Sequence, residues 1–171
     1  AMPVLRELNQ KTGEAVHLAI IQARELVTVA KLDSLHAVKV DSGFAGKTNA
    51  AHATASGKAI LAWLPESEQR AIVDARGMEA FTADTVTDLD TLRAELALVR
   101  RHGYAQDNEE FQPGVVCIGA AIRNHTGGVI ASISCSTPTM RASEERSAEL
   151  IERIKQAAAT LSQELGSRTP L

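Results

Sequence analysis

Short apolar runs near the two ends of the chain are separated by polar turns, a pattern typical of β-hairpins. Near the N-terminus, apolar residues over 15–21 and 26–32 flank the polar segment 22–25 and predict a first hairpin. A third strand is predicted over 36–40. The segment 41–46 after it predicts a mobile loop, because its glycines and aspartate favour turns.

A stronger hairpin is predicted toward the C-terminus, where the apolar runs 115–122 and 129–136 are joined by Asn-His-Thr-Gly-Gly. Strands joined by hairpins, with the helices grouped between them, indicate an antiparallel sheet that carries helices. The predicted fold class is therefore α+β. The predicted helices cover 4–10 and 58–64 and then lie between Pro65 and Gly77, between Thr87 and Gly103, and between Ser143 and Gly166.

Alternate residues of a strand face opposite sides of a sheet, so the second hairpin can be aligned by matching its bulky faces. The match requires paired residue numbers with an odd sum, as around a two-residue turn at 126–127. Cys117 then lies beside Ser136, and Gly119 lies beside Ser134. Such small, weakly polar side chains leave room either for a ligand or for the close approach of a helix, and both interpretations stay open.

The segment 52–58, His-Ala-Thr-Ala-Ser-Gly-Lys, places small residues at a predicted helix start. Unpaired backbone N–H groups and the helix dipole favour an anion such as a carboxylate at such a start. Ordinary N-capping by Thr54 or Ser56 accounts for the same residues equally well. The segment lacks the first glycine of a GxxxxGK phosphate-binding loop, so a nucleotide site is disfavoured.

Other candidate reactive groups fit structural roles better. The acidic run 107–110 suits acid–base chemistry or a metal, but short acidic runs before turns are more often solvated. Cys117 has apolar neighbours and no activating residue beside it, and Cys135 falls on the bulky face, so both are predicted to be reduced, packed thiols. The five histidines show no metal-ligand spacing. No catalytic residue, metal or cofactor is predicted.

Composition narrows the class of function. The 171 residues include 18 Lys or Arg against 21 Asp or Glu, a formal net charge of −3, with one Trp, one Tyr and three Phe. This chain offers neither the positive field nor the stacking side chains that nucleic-acid binding needs. No apolar stretch approaches the roughly 20 residues of a membrane span, and no signal peptide is visible. A soluble, cytoplasmic, single-domain protein is predicted.

Five strings follow one another in the chain: AHATASGKAILA at 51–62, the helix pattern at 92–103, GYAQDNEE at 103–110, GVVCIGAAI at 114–122 and ASISCS at 131–136. Their order and spacing resemble the effector-binding domain of the IclR family of bacterial transcription regulators. The resemblance implies a GAF-like fold, in which a curved antiparallel sheet is flanked by helices and a small-molecule pocket lies between them.

The resemblance also implies a division of the chain and a set of partners. Residues 1–12 correspond to the end of a linker helix, with Ala1 interpreted as a cloning remnant, 13–166 to the effector-binding domain and 167–171 to a tail. The implied effector is a small organic acid, and the implied assembly is a homodimer or homotetramer. DNA contact is expected only through an N-terminal winged helix-turn-helix outside this chain, and no membrane contact is expected.

Transferred position by position, the effector-contacting places of the family fall at Ala55, Ser56, Gly57, Asp107, Cys117, Ser134 and Ser136. Three of them, Cys117, Ser134 and Ser136, belong to the small, weakly polar face of the second hairpin that strand parity predicts, which is called the small face below. An aspartate in a carboxylate pocket has three open roles: it is protonated, it binds a hydroxyl of the ligand, or it orients backbone groups.

The leading hypothesis is a ligand-sensing domain that controls DNA binding or transcription through a ligand-dependent change in assembly. Two alternatives stay open: a small thiol-dependent enzyme that uses Cys117, and a module that only oligomerises. A sensor needs converging hydrogen-bonding groups, whereas an enzyme needs an activated nucleophile with a base in reach. The residues favour the sensor.

Overall fold

The computed structural model of the chain describes residues 1–40, 46–48 and 50–169. The strands of this part are β1 (Ala15–Gln22), β2 (Glu25–Leu32), β3 (Gly46–Thr48), β4 (Ala105–Asn108), β5 (Val115–Arg123) and β6 (Val129–Pro138). The helices are α1 (Met2–Thr12), α2 (Ala55–Leu61), α3 (Glu66–Arg76), α4 (Leu89–His102) and α5 (Glu144–Glu164), with a 3₁₀ turn at Thr139–Arg141. The strands form one antiparallel sheet in the order β3-β2-β1-β6-β5-β4. The predicted α+β class is confirmed.

The first hairpin is confirmed, but the strand predicted over 36–40 is wrong. Leu35 and Val38 are 63% and 60% exposed, and the segment belongs to no strand. The carbonyl of Val38 accepts a hydrogen bond from the side chain of Arg141 in the 3₁₀ turn. The N–H of Leu35, just before the segment, donates to the carbonyl of Gly13 at the α1–β1 junction. The edge strand after β2 is β3. Residues 41–45 of the predicted loop lie outside the described residues.

The helix ends follow the predicted caps with small shifts. The hydroxyl of Thr54 caps α2 by accepting from the N–H of Gly57 at 3.1 Å. Pro65 precedes α3 as its N-cap, one position earlier than predicted. Asp88 rather than Thr87 caps α4. These local hydrogen bonds satisfy N–H groups that have no acceptor within the helix.

The predicted register of the second hairpin is confirmed along most of β5 and β6. Cys117 pairs with Ser136 and Gly119 pairs with Ser134, as the odd-sum rule requires. Cys135 faces away from them and lies at 1% exposure in a core of bulky side chains, also as predicted. Both cysteines are free thiols.

The turn of this hairpin and the strand beside it differ from expectation. The N–H of Gly127 donates to the carbonyl of Asn124, so the turn begins earlier than the two residues expected at 126–127. A bulge after Ile122 absorbs the difference and preserves the register beyond it. Strand β4 was not predicted, because three of its four residues are polar. This strand places Asp107 opposite Cys117 on β5.

The sheet separates two helical layers, each with its own core. Helices α1 and α5 cover one face and bury side chains such as Leu5, Ile133 and Ile154. Helices α2 and α4 contribute Leu61 and Leu92 to a second core. The small face of the second hairpin points toward the α2 side. In the part of the chain that the structure describes, no helix combines the length and the apolar character needed to cross a membrane.

Candidate functional site

A cavity of about 280 Å³ lies between the sheet, the start of α2 and the turn that follows β4. Its polar lining comes mainly from β5, β6 and α2, whereas two phenylalanines contribute an aromatic wall. The described residues that line it are His17, Leu26, Thr28, Val40, Thr54, Ala55, Ser56, Phe81, Asp107, Phe111, Gln112, Val115, Cys117, Ser134 and Ser136.

The fold brings six of the seven residues predicted for the site to this cavity. They are Ala55, Ser56, Asp107, Cys117, Ser134 and Ser136. The exception is Gly57, which is not a lining residue. A Cβ atom at Gly57 would lie 2.2 Å from the carbonyl oxygen of Ala51 and 2.4 Å from its Cα. The glycine is therefore required by the contact between α2 and Ala51, and not by space for a ligand.

The small face of the second hairpin serves both purposes that the sequence left open. A Cβ atom at Gly119 would lie 2.9 Å from the carbonyl oxygen of Ala55, so this glycine lets the start of α2 approach β5. Ser132, fully buried, donates its hydroxyl hydrogen bond to the carbonyl of Ser56 at 2.9 Å and fixes the same helix start to β6. The other residues of this face, Cys117 on β5 and Ser134 and Ser136 on β6, line the cavity.

Two hydrogen-bonded side-chain pairs line the cavity, one of two hydroxyls and one of a thiol and a hydroxyl. The Oγ atoms of Ser56 and Ser134 lie 2.7 Å apart, and Sγ of Cys117 lies 3.1 Å from Oγ of Ser136. The N–H groups of Ala55 and Ser56 occupy the first helical positions, where α2 offers no intrahelical acceptor. The cavity thus presents several hydrogen-bonding groups within one small volume.

Asp107 is a buried carboxylate in this wall, with 1% of its surface exposed. Its Oδ1 accepts a hydrogen bond from the N–H of Glu110 at 2.8 Å and a longer one from Phe111. Burial raises the pKa of Asp107 to about 6, although these backbone donors oppose the shift. One of the three roles left open for Asp107, the orientation of backbone groups, is therefore observed.

The thiol of Cys117 is held in its neutral form. Burial, reinforced by the neighbouring carboxylate of Asp107, raises the pKa of Cys117 far above its usual value. A reactive cysteine needs the opposite environment, one that stabilises the thiolate. The predicted packed thiol fits this geometry.

A buried ion cluster supports the turn after β4. Nζ of Lys58 lies 2.6 Å from Oε1 of Glu110 and 2.9 Å from Oε2 of Glu95. The hydroxyls of Thr82 and Thr85 donate to the carbonyl of Glu110, which fixes its backbone as well. The run 107–110, expected to be solvated, therefore has two buried carboxylates, and this interpretation was wrong because Lys58 supplies a countercharge from a distant part of the chain.

The aromatic wall of the cavity was not predicted from the sequence. Phe81 packs edge-on against Phe111 with ring centroids 5.0 Å apart and stacks on His52 at 5.8 Å. The two phenylalanines stand thirty positions apart in loops without periodic pattern, so no sequence signal joined them. They add an aromatic surface to a cavity that Leu26, Val40 and Val115 also line with apolar side chains.

His17 was also missed as a lining residue. It is a polar residue within the apolar run of β1, opposite Ser134 on β6, and that interruption was the available signal. Burial, with a contribution from Lys31, lowers the pKa of His17 to about 4, so the imidazole is neutral near pH 7. Among the described residues, no group of three His, Cys, Asp or Glu side chains is placed to hold a metal ion.

Residues 1–163 match the protein family described as "Bacterial transcriptional regulator IclR C-terminal". The chain is 38% identical over 162 residues to the HTH-type transcriptional regulator XynR of Escherichia coli, covering 95% of the chain and 64% of XynR. It covers 53% of the regulator KdgR of Dickeya chrysanthemi. The chain thus spans less than two thirds of these relatives.

Solved structures show the same fold. The C-terminal domain of the Escherichia coli regulator KdgR superposes with a TM-score of 0.85 at 33% identity, covering 96% of this chain and 95% of that one. The inducer-binding domain of the PobR transcription factor of Acinetobacter, a double mutant in complex with 3-hydroxybenzoic acid, superposes with a TM-score of 0.81 at 25% identity. That alignment covers 94% of each chain.

Proposed function

Because the chain belongs to the IclR family, as the effector-binding domain of its transcriptional regulators, we propose that the cavity binds a small organic acid. The observation that carries the proposal is that the hydroxyl-bearing residues Ser56, Ser134 and Ser136 line one cavity together, with the Oγ atoms of Ser56 and Ser134 2.7 Å apart. A carboxylate accepts several such hydrogen bonds at once. The relatives of this domain are transcriptional regulators and not enzymes.

The shape and chemistry of the cavity support an acid with an apolar part. Phe81, Phe111 and Val115 offer apolar surface, while the serines offer hydrogen bonds. Small-molecule sites are commonly apolar pockets with a few convergent polar groups. The PobR domain that binds 3-hydroxybenzoic acid has the same fold, which makes acids of this kind suitable first probes.

Binding is proposed to act on transcription through the whole protein. In this proposal residues 1–12 end a linker helix, 13–166 sense the effector and 167–171 form a tail, and a winged helix-turn-helix outside this chain contacts DNA. The whole protein assembles as a homodimer or homotetramer. An effector that binds one arrangement of the assembly better than another shifts the population of DNA-binding states.

Thermal denaturation with a panel of acids tests the ligand class. The panel is pyruvate, lactate, benzoate and 3-hydroxybenzoate, each compared with its neutral amide. An acid at 100 times its dissociation constant is expected to stabilise the domain by about 2.7 kcal/mol. The proposal fails if no acid of the panel raises the melting temperature at either pH 6.0 or pH 7.5.

Truncation of the cavity serines tests the placement of the ligand. Ser134→Ala and Ser136→Ala are each expected to weaken binding of the most stabilising acid by about 0.5–1.5 kcal/mol, the usual net value of a neutral hydrogen bond. Ser147→Ala, on helix α5 across the sheet, is the matched control and leaves the affinity unchanged. Calorimetric titration measures the difference. Unchanged affinity in both cavity variants would place the ligand elsewhere.

A further inference from the structure

The described lining of the cavity contains a carboxylate but no lysine or arginine. Asp107 is the carboxylate, and the one other ionisable side chain besides Cys117 is His17. His17 is neutral near pH 7, because burial lowers its pKa to about 4. An acid that enters this cavity therefore brings its negative charge next to an existing one, with no cationic side chain in the described wall.

Among the residues that the structure describes, the groups around Asp107 provide no spare positive charge. On β5 the facing side chain is Cys117, a neutral thiol. In the turn after β4, Glu110 adds a like charge. On α2, Lys58 attracts Asp107, but this ammonium is shared between the carboxylates of Glu110 and Glu95, so the three groups together carry a net charge of −1.

Two carboxylates that share a buried site cannot both stay ionised without a large electrostatic penalty, and a proton on one of them removes it. We propose that Asp107 takes up one proton when the cavity binds an organic acid, so that the protein binds the anion and the proton together. This inference rests on the proposed function. It makes Asp107 a specificity-determining residue, which admits an anion only in its protonated form.

The hydrogen bonds of Asp107 indicate where the proton goes. Oδ1 accepts from the N–H groups of Glu110 and Phe111, so both of its lone pairs are engaged with the backbone. The proton is therefore expected on Oδ2, which then becomes an O–H donor toward the carboxylate of the ligand. Hydrogen bonds of this kind, from an O–H to an ionised oxygen, are among the stronger ones in proteins.

The raised pKa of the Asp107 carboxyl in the unliganded protein agrees with this geometry. Burial raises the pKa of Asp107 to about 6, so the proton costs little near that pH. A nearby anion raises the pKa further, which means that the complex binds more protons than the free protein above pH 6. Affinity for an acid therefore strengthens as the pH falls from 7.5 to 6, and levels off below the pKa of the free protein.

Calorimetric titration of the 171-residue chain at pH 6.0 and 7.5 tests the coupling. The probe is the acid of the panel that stabilises most, with its amide as the matched neutral ligand. With a pKa of about 6 for Asp107, we expect acid binding to be about 15-fold weaker at pH 7.5 than at pH 6.0. Buffers of different ionisation enthalpy are expected to report the uptake of nearly one proton at pH 7.5. The amide takes up none.

Asp107→Asn separates charge from shape, since its amide keeps an acceptor for the N–H of Glu110 and adds a donor where the protonated acid would have one. At pH 7.5 the variant is expected to bind the acid about 30-fold more tightly than the wild type. Its affinity is expected not to change between the two pH values. Melting temperatures of the unliganded proteins show that the variant is folded.

The outcomes separate this inference from the proposed function. If the wild type binds acids with no proton uptake and no pH dependence, the coupling is wrong while the function stands. If Asp107→Asn abolishes binding of an acid that the wild type takes without a proton, Asp107 acts as a charged acceptor and the inference is overturned. If no acid binds the wild type or the variant at either pH, the proposed function fails and the inference falls with it.

Discussion

Lys58→Met is expected to destabilise the domain by about 3–5 kcal/mol, the usual consequence of removing one partner of a buried ion pair. Lys58 has 3% of its side chain exposed and Glu110 has 8%, so neither charge is solvated. Oε2 of Glu110 already has no hydrogen-bond partner. Without Lys58 its carboxylate would be buried without a countercharge. Urea denaturation at pH 7.5 measures the loss.

Two comparisons make this prediction specific to the ion pair. The double variant Lys58→Met/Glu110→Leu is expected to recover much of the stability, because it removes both charges. In Lys58→Met the pKa of Glu110, already raised by burial from 4.5, rises further. The folded state of this variant then binds more protons than the unfolded state. Its loss of unfolding free energy relative to the wild type therefore grows as the pH rises above about 4.5. A loss below about 1 kcal/mol, the range of exposed pairs, would contradict burial of the pair.

Gly57→Ala is expected to destabilise the domain by about 3 kcal/mol, the upper end of the usual range for overpacking. The added Cβ would lie 2.2–2.6 Å from the O, Cα and C atoms of Ala51. All three are backbone atoms, so no flexible side chain can move aside. Because α2 carries Ala55 and Ser56 of the cavity, we expect ligand binding to weaken together with stability. Thermal and urea denaturation, followed by titration of the folded fraction, measure both effects.

Gly77→Ala is the matched control. A Cβ atom at Gly77 meets nothing within 4 Å, and its φ of +73° with ψ of −175° makes the expected loss about 1–3 kcal/mol, from backbone conformation alone. Ligand affinity is expected to stay at the wild-type value in this control. If Gly57→Ala keeps wild-type stability but loses affinity, Gly57 contacts the ligand and its placement against Ala51 is wrong.

The expected losses of stability in Lys58→Met and Gly57→Ala both concern residues that support the walls of the cavity without lining it. Lys58 binds Glu110 and so ties α2 to the turn after β4, whose Phe111 bonds to Asp107, whereas Gly57 lets α2 dock against Ala51. Three consecutive residues of α2 thus have different contacts. Ser56 meets the cavity, Gly57 meets the backbone and Lys58 meets the ion cluster.

Strand register was predictable because it depends on a local rule. Side chains of a strand alternate with a period of two, and matching bulky to bulky left one parity for β5 and β6. That parity places Cys117 beside Ser136, and the two residues pair in the structure. Helix caps were predictable for a similar reason, since the hydroxyl of Thr54 bonds a backbone group three residues away.

Other features depended on groups that are distant in the chain. Lys58 and Glu110 are 52 positions apart, and a charge has no preferred partner until the fold brings one within reach. The segment 36–40 has the composition of a strand, yet its Val38 bonds to Arg141, and Leu35 just before it bonds to the α1–β1 junction. Strand β4 is held by pairing with β5, although its own residues are mostly polar.

By itself the sequence determined the α+β class, the order of most elements, the register of the second hairpin and six residues that meet at the cavity. Each of these follows from periodicity, from caps, or from strings that resemble a family. Only the tertiary structure decided that Gly57 faces Ala51 while Ser56 faces the cavity, and that Asp107 lies in a wall without a described cationic side chain. The direction of a helical side chain turns by about 100° per residue, so its neighbour depends on how the helix is docked.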